Sequence, residues 1–126
     1  MLKVLIIENE SIIALEVCNY LKSLECEVID IVQNGLDALK IIESKEIDLV
    51  VMDIFLEGEL DGIDTAREIK NKNIMIIFLT ANNTKYNINK TIEINPLAYL
   101  TKPFNRKELY TDINMIKYKL TKKTKP

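Results

Sequence analysis

The chain contains no histidine and no tryptophan. Imidazole-based acid–base catalysis and histidine metal sites are therefore excluded. The only two cysteines, Cys18 and Cys26, are too few and wrongly spaced for a zinc site or a disulfide scaffold. They point to a reducing compartment and to buried, inert thiols. Glycine is scarce: with Gly35, Gly58 and Gly62 alone, no Gly-x-Gly-x-x-Gly turn exists to cradle a dinucleotide or flavin phosphate. No apolar stretch approaches the roughly 20 residues that span a bilayer. The amino-terminal run Met1 to Ile7 is too short for a signal peptide and passes straight into acidic residues. Together these absences predict a cytoplasmic protein with no membrane segment.

What is present is ordinary in bulk. At 126 residues, 48% hydrophobic and 29% charged, the chain has the size and composition of one globular domain. Its net charge of −2 hides an asymmetry. Residues 117–126 carry Lys117, Lys119, Lys122, Lys123 and Lys125 and no acid, whereas the first 116 residues hold 12 basic and 19 acidic side chains, a net −7. Phosphate contacts need a basic face, so direct nucleic-acid binding by this body is not expected. The expected organisation is a domain over residues 1–120 and a basic tail, or the start of a linker, over 121–126.

Five short runs rich in Val and Ile, Leu2 to Ile7, Val28 to Val32, Leu49 to Met52, Ile74 to Leu79 and Leu97 to Leu100, lack period-two alternation. Strands covered on both faces read this way. Helical patterns lie between them. Ala14, Val17, Leu21 and Leu24 recur at helical spacing behind a potential cap at Ser11. Leu36, Leu39 and Ile42 follow Gly35, Ile63, Ala66 and Ile69 follow Gly62, and Leu109, Ile113, Ile116 and Leu120 follow Asn105. Thr84 to Ile94 is the weakest helix, rich in Asn and β-branched residues. The alternation predicts right-handed crossovers and a doubly wound parallel α/β sheet of five strands with five helices.

Polar residues end four of the apolar runs. Glu8-Asn9-Glu10 ends the first, Asp53 the third, Thr80 the fourth and Lys102 the fifth. Open α/β sheets bind ligands outside the carboxyl ends of their strands. Convergence there would supply a carboxylate nucleophile, oxygen ligands for a hard divalent cation, a hydroxyl and an ammonium. That set suits phosphoryl chemistry.

Ile7-Glu8-Asn9-Glu10, Met52-Asp53-Ile54-Phe55, Asp61-Gly62, Leu79-Thr80-Ala81 and Tyr99-Leu100-Thr101-Lys102-Pro103-Phe104, in this order and spacing, resemble the receiver domain of two-component response regulators of the chemotaxis-regulator-like kind. The resemblance covers Lys3 to about Leu120. It implies a flavodoxin-like fold with strand order 2-1-3-4-5, and Asp53 as acceptor of a phosphoryl group from a histidine kinase or phosphotransfer protein. It also implies Mg²⁺ held by Glu8, Asn9, Asp53 and the Phe55 carbonyl, and Thr80 and Lys102 as contacts of the phosphoryl group. Tyr99 corresponds to an aromatic that changes rotamer together with Thr80. Lys102-Pro103 corresponds to a cis peptide, and Asn95, before Pro96, to a left-handed helix ending. On this resemblance the domain is a switch rather than an enzyme: it promotes only its own phosphorylation and slow dephosphorylation. It acts on an output partner or effector domain, as a monomer or a phosphorylation-dependent dimer. Asn9 departs from the pattern, because the family usually has Asp there and a direct metal contact. Magnesium should accordingly bind weakly, with Glu10 the one nearby acid able to replace the charge, although the family places that position away from the metal. The same departure favours an alternative, a phosphorylation-independent interaction module with a weakened metal site.

Overall fold

In the computed structural model, residues 1–56, 58–81 and 89–124 are described. Five parallel strands, β1 (Leu2–Ile7), β2 (Cys26–Val32), β3 (Leu49–Asp53), β4 (Met75–Thr80) and β5 (Ala98–Thr101), form one sheet in the order β2-β1-β3-β4-β5. The helices are α1 (Ser11–Ser23), α2 (Gly35–Ser44), α3 (Gly62–Ile69) and α5 (Arg106–Thr124). Helical residues 89–91, here α4, run into a 3-10 turn, Ile92–Ile94. The remainder of the expected helix from Thr84 lies outside the described residues. The turn ends on Asn95 in the left-handed conformation, φ 53 and ψ 60, and the Lys102-Pro103 peptide is cis.

Alternation along the strands builds two cores. Val4, Ile6, Val51, Ile77 and Leu79 pack with Ala14, Val17 and Leu21 of α1 and Leu109, Ile113 and Ile116 of α5. Leu5, Ile7, Val50, Met52, Ile76 and Phe78 pack with Ala38 of α2 and Ile63, Ala66 and Ile69 of α3. Both faces of the central strands are therefore dry, which is why these runs are continuously apolar. Cys18 and Cys26 sit within the first core as free, buried thiols. Burial holds the Cys26 thiol above the usual cysteine range, and so keeps it from the reactive thiolate form.

One detail departs from the expected pattern. The cap of α1 is Glu10 rather than Ser11, and Glu10 makes no side-chain capping bond. The last helix runs through Thr124, so residues 121–124 form its final turn.

Gly62 shows how closely α3 is fitted to the end of β3. Its N–H donates to the Ile54 carbonyl at 2.8 Å. A Cβ at this position would lie 2.3 Å from the Asp53 carbonyl oxygen and 2.7 Å from Ile54 Cα. These are backbone atoms that cannot swing aside as a side chain can. Gly62→Ala should cost about 2–3 kcal/mol, as overpacking against backbone does. A urea unfolding midpoint equal to that of the wild type would show instead that α3 shifts freely.

Candidate functional site

The ladder bonds set the site. Ile7 is in register with Met52, Asp53 with Leu79, and Thr80 with Thr101, so the strand ends are level. Three bonds carry the ladder one residue further: Glu8 N–H to the Val32 carbonyl at 3.0 Å, Ile54 N–H to the Leu79 carbonyl at 3.1 Å, and Lys102 N–H to the Thr80 carbonyl at 2.8 Å. The candidate site residues thus stand on or beside paired backbone, not on free loops. Asp53 and Thr80 are themselves the last residues of their strands.

Glu8, Asp53 and Thr80 are buried, and Lys102 joins the two carboxylates. Its Nζ lies 2.9 Å from Asp53 Oδ2 and 3.1 Å from Glu8 Oε2. Asp53 Oδ1 accepts the Phe55 N–H at 2.8 Å, and Glu8 Oε1 accepts the Glu10 N–H at 3.1 Å. Glu8 Oε2 meets the Lys102 ammonium as an ion pair at 3.1 Å and has no other partner among the described residues.

The electrostatics follow from burial and proximity. Burial raises the Glu8 carboxyl above its ordinary 4.5; the Asp53 charge adds to this, while the Glu10 N–H and Lys102 oppose it. For Lys102, burial works against the charge, but the bonds and charges of Asp53 and Glu8 outweigh it and raise the ammonium above its ordinary 10.5. The site therefore stores an excess of negative charge around one cation.

A carboxylate oxygen from each of Glu8, Glu10 and Asp53 lies within 4.8 Å of the others. Position 10, which the family places away from the metal, here has an exposed carboxylate with one oxygen close to those of Glu8 and Asp53. An all-oxygen, anionic donor set built on the buried carboxylates of Glu8 and Asp53 fits a hard divalent cation. Asn9 lines a cavity of about 520 Å³ next to the site with Gln33, Asn34, Asp37 and Lys40. The Phe55 backbone is tied to Asp53 and its side chain is exposed.

Tyr99 is half-buried, and its ring stacks on Phe78 at 6.0 Å between centroids and 22° between planes. Phe78 is its register partner on β4, two residues before Thr80. Its hydroxyl bonds to that of Thr91. The Thr91 contact had no signal in the sequence: a threonine eight residues before a strand tyrosine fits no pattern until the turn Ile92–Ile94 folds the chain back.

Residues 4–114 match the response regulator receiver domain family. The chain belongs to that family, whose function is phosphoacceptor signalling in two-component systems. It is 32% identical over 114 residues to the transcriptional regulatory protein PdtaR of Mycobacterium tuberculosis, covering 90% of this chain and 55% of that protein. It is 36% identical over 110 residues to the aerobic respiration control protein ArcA of Escherichia coli, covering 84% and 44%. The chain thus spans about half the length of the curated relatives it matches. Among solved structures, the signal receiver domain of a modulated diguanylate cyclase from Desulfovibrio desulfuricans G20 superposes with a TM-score of 0.85 at 32% identity, covering 93% of this chain and 94% of that one.

Proposed function

We propose that Asp53 is the phosphoacceptor of this receiver domain. The observation that carries the reading is the Lys102 ammonium between the Asp53 and Glu8 carboxylates at the carboxyl end of the sheet. An Asp53 oxygen attacks phosphorus of a phosphohistidine on a histidine kinase or phosphotransfer protein. A P–O bond forms as the P–N bond breaks, and the electron pair leaves with the donor imidazole. Lys102 then pairs with a phosphoryl oxygen, and Thr80, at the end of the neighbouring strand, offers its hydroxyl to another. Both would draw on β4 and β5, so the local charge change is passed to Tyr99, α4 and α5, where an output partner or effector domain binds. The reaction goes no further than this domain's own phosphorylation and slow hydrolysis, in the cytoplasm, with residues 1–120 as the working unit and no direct contact with nucleic acid.

Magnesium, when bound, neutralises charge on the phosphoryl oxygens. Glu8 and Asp53 would hold it, with the Phe55 carbonyl and either Asn9 or Glu10. Ligand charge is a main control of divalent affinity, so Glu10→Gln should weaken Mg²⁺ binding by roughly tenfold and Asn9→Asp should tighten it by a similar factor, about 1.4 kcal/mol each way. Isothermal titration of the three proteins checks this. A Glu10→Gln protein that binds as tightly as the wild type would mean that Glu10 lies near the site without serving it.

The test of the function is incubation of the wild type with acetyl phosphate, with and without Mg²⁺, followed by intact mass. One phosphoryl group should be gained, and only with the metal. Asn9 favours a second reading, an interaction module that works unphosphorylated, and no gain of mass under either condition would support it.

A further inference from the structure

Thr91 is fully buried at the end of α4, and its hydroxyl meets that of Tyr99 on β5. The Tyr99 ring is already turned into the core: it lies on Phe78 and packs against the cluster that contains Ile94 and Ile76. The same turn is tied to α3 by an exposed Arg67–Glu93 ion pair at 2.9 Å. Exposed pairs of this kind bind weakly, whereas a phenol inside the protein strongly prefers a partner for its hydroxyl. The Thr91 hydroxyl is therefore the firmer of these two ties on the end of α4, and it is the one that leads to β5.

We propose that Thr91 is a positioning residue that latches the Tyr99 ring inward before any phosphoryl group arrives, so that the ring and the end of α4 move as one unit. The proposal rests on the reading of Tyr99 as the reporter of the site. It alters what phosphorylation has to do, because the ring need not be drawn in from solvent. The response is a shift of an α4–β5 unit that is already joined. Where the side chain at position 91 has no hydroxyl, the phenol loses its inward partner and gains by turning out to water.

The test uses the full chain labelled with 3-fluorotyrosine, without phosphodonor. The Tyr99 resonance among the five tyrosines is assigned by its loss in Tyr99→Phe. In the wild type it should show little H₂O/D₂O isotope shift. In Thr91→Val, which keeps the shape and removes the hydroxyl, it should acquire the isotope shift of an exposed tyrosine such as Tyr118. Thr91→Ser should restore the wild-type value. An unchanged resonance in Thr91→Val, or a Thr91→Ser protein shifted as far as Thr91→Val, would overturn the latch.

A second measurement holds even if Thr91→Val folds poorly. The Asn95 N–H donates back to the Thr91 and Ile92 carbonyls. Tyr99→Phe alone should speed its hydrogen exchange about tenfold, the equivalent of one lost hydrogen bond. Unchanged exchange would also overturn the proposal. Acetyl phosphate and Mg²⁺ are added last, to the wild type. Failure to gain phosphate at that stage would refute the Asp53 reading, while the ring and exchange data already taken decide the latch.

Discussion

Asp53→Asn protein incubated with acetyl phosphate and Mg²⁺ should keep its unmodified mass under conditions in which the wild type gains one phosphoryl group. The amide has the shape of the carboxylate and can still accept the Phe55 N–H, so the end of β3 stays in place. What it loses is the anionic oxygen proposed to attack phosphorus, which pairs with Lys102 Nζ at 2.9 Å. An amide oxygen is too weak a nucleophile to replace it. The Glu8 carboxyl is raised first by burial and then by the Asp53 charge; the substitution removes the second, so Glu8 in the variant should titrate closer to an ordinary glutamate. Circular dichroism matching the wild type, together with an unmodified mass, is the expected result. Phosphate gained by this variant would move the acceptor to another carboxylate.

Lys102→Ala should still fold but lose most of its response. Lys102 is the one cation placed between Asp53 and Glu8 among the described residues, and its N–H is paired to the Thr80 carbonyl. It therefore joins the proposed phosphoacceptor to the end of β5. In the variant, the shift changes on phosphorylation in β5, α4 and α5 should fall below about half of those in the wild type, as expected when the link between charge and a two-state element is cut. Equal changes in the two proteins would remove Lys102 from the coupling.

The same substitution has a pH signature. The Glu8 carboxyl is already raised by burial, with Lys102 among the groups that hold it down. Without Lys102 it rises further. A group whose folded value is raised contributes stability that is present below its unfolded value and lost as pH rises through the folded one. The variant should therefore be weakest near neutral pH, by about 2 kcal/mol, between the values for exposed and buried pairs. The deficit should shrink as pH falls through the raised Glu8 range. Urea midpoints measured from pH 7 downward would reveal it, and a deficit that does not change with pH would mean that the loss comes from packing.

The sheet was legible because both faces of the central strands are buried, so the five runs stand out from the helices by content and length. The placement of the candidate site was legible for a related reason: Asp53 and Thr80 end their strands, and a polar residue at the close of an apolar run is visible without coordinates. Glu10 was harder. Its position in sequence is that of a helix cap, and only the absence of a capping bond frees its carboxylate to join Glu8 and Asp53. Ser11, with good capping chemistry, turned out to be the first residue of the helix. Propensity names candidates for a cap, but the path of the loop from β1 chooses among them. Thr91 was invisible because its partner comes from a strand reached through a turn with left-handed Asn95, and that geometry decides which side chains face inward.

The assignment of Asp53 is tested most directly by trapping the acyl phosphate. Wild-type protein phosphorylated with acetyl phosphate and Mg²⁺ is reduced with borohydride, which converts an aspartyl phosphate to homoserine, and the product is mapped by peptide mass spectrometry. Homoserine is expected at position 53 and at no other aspartate. Reduction at another acidic residue, or a phosphorylated protein with position 53 intact, would contradict it.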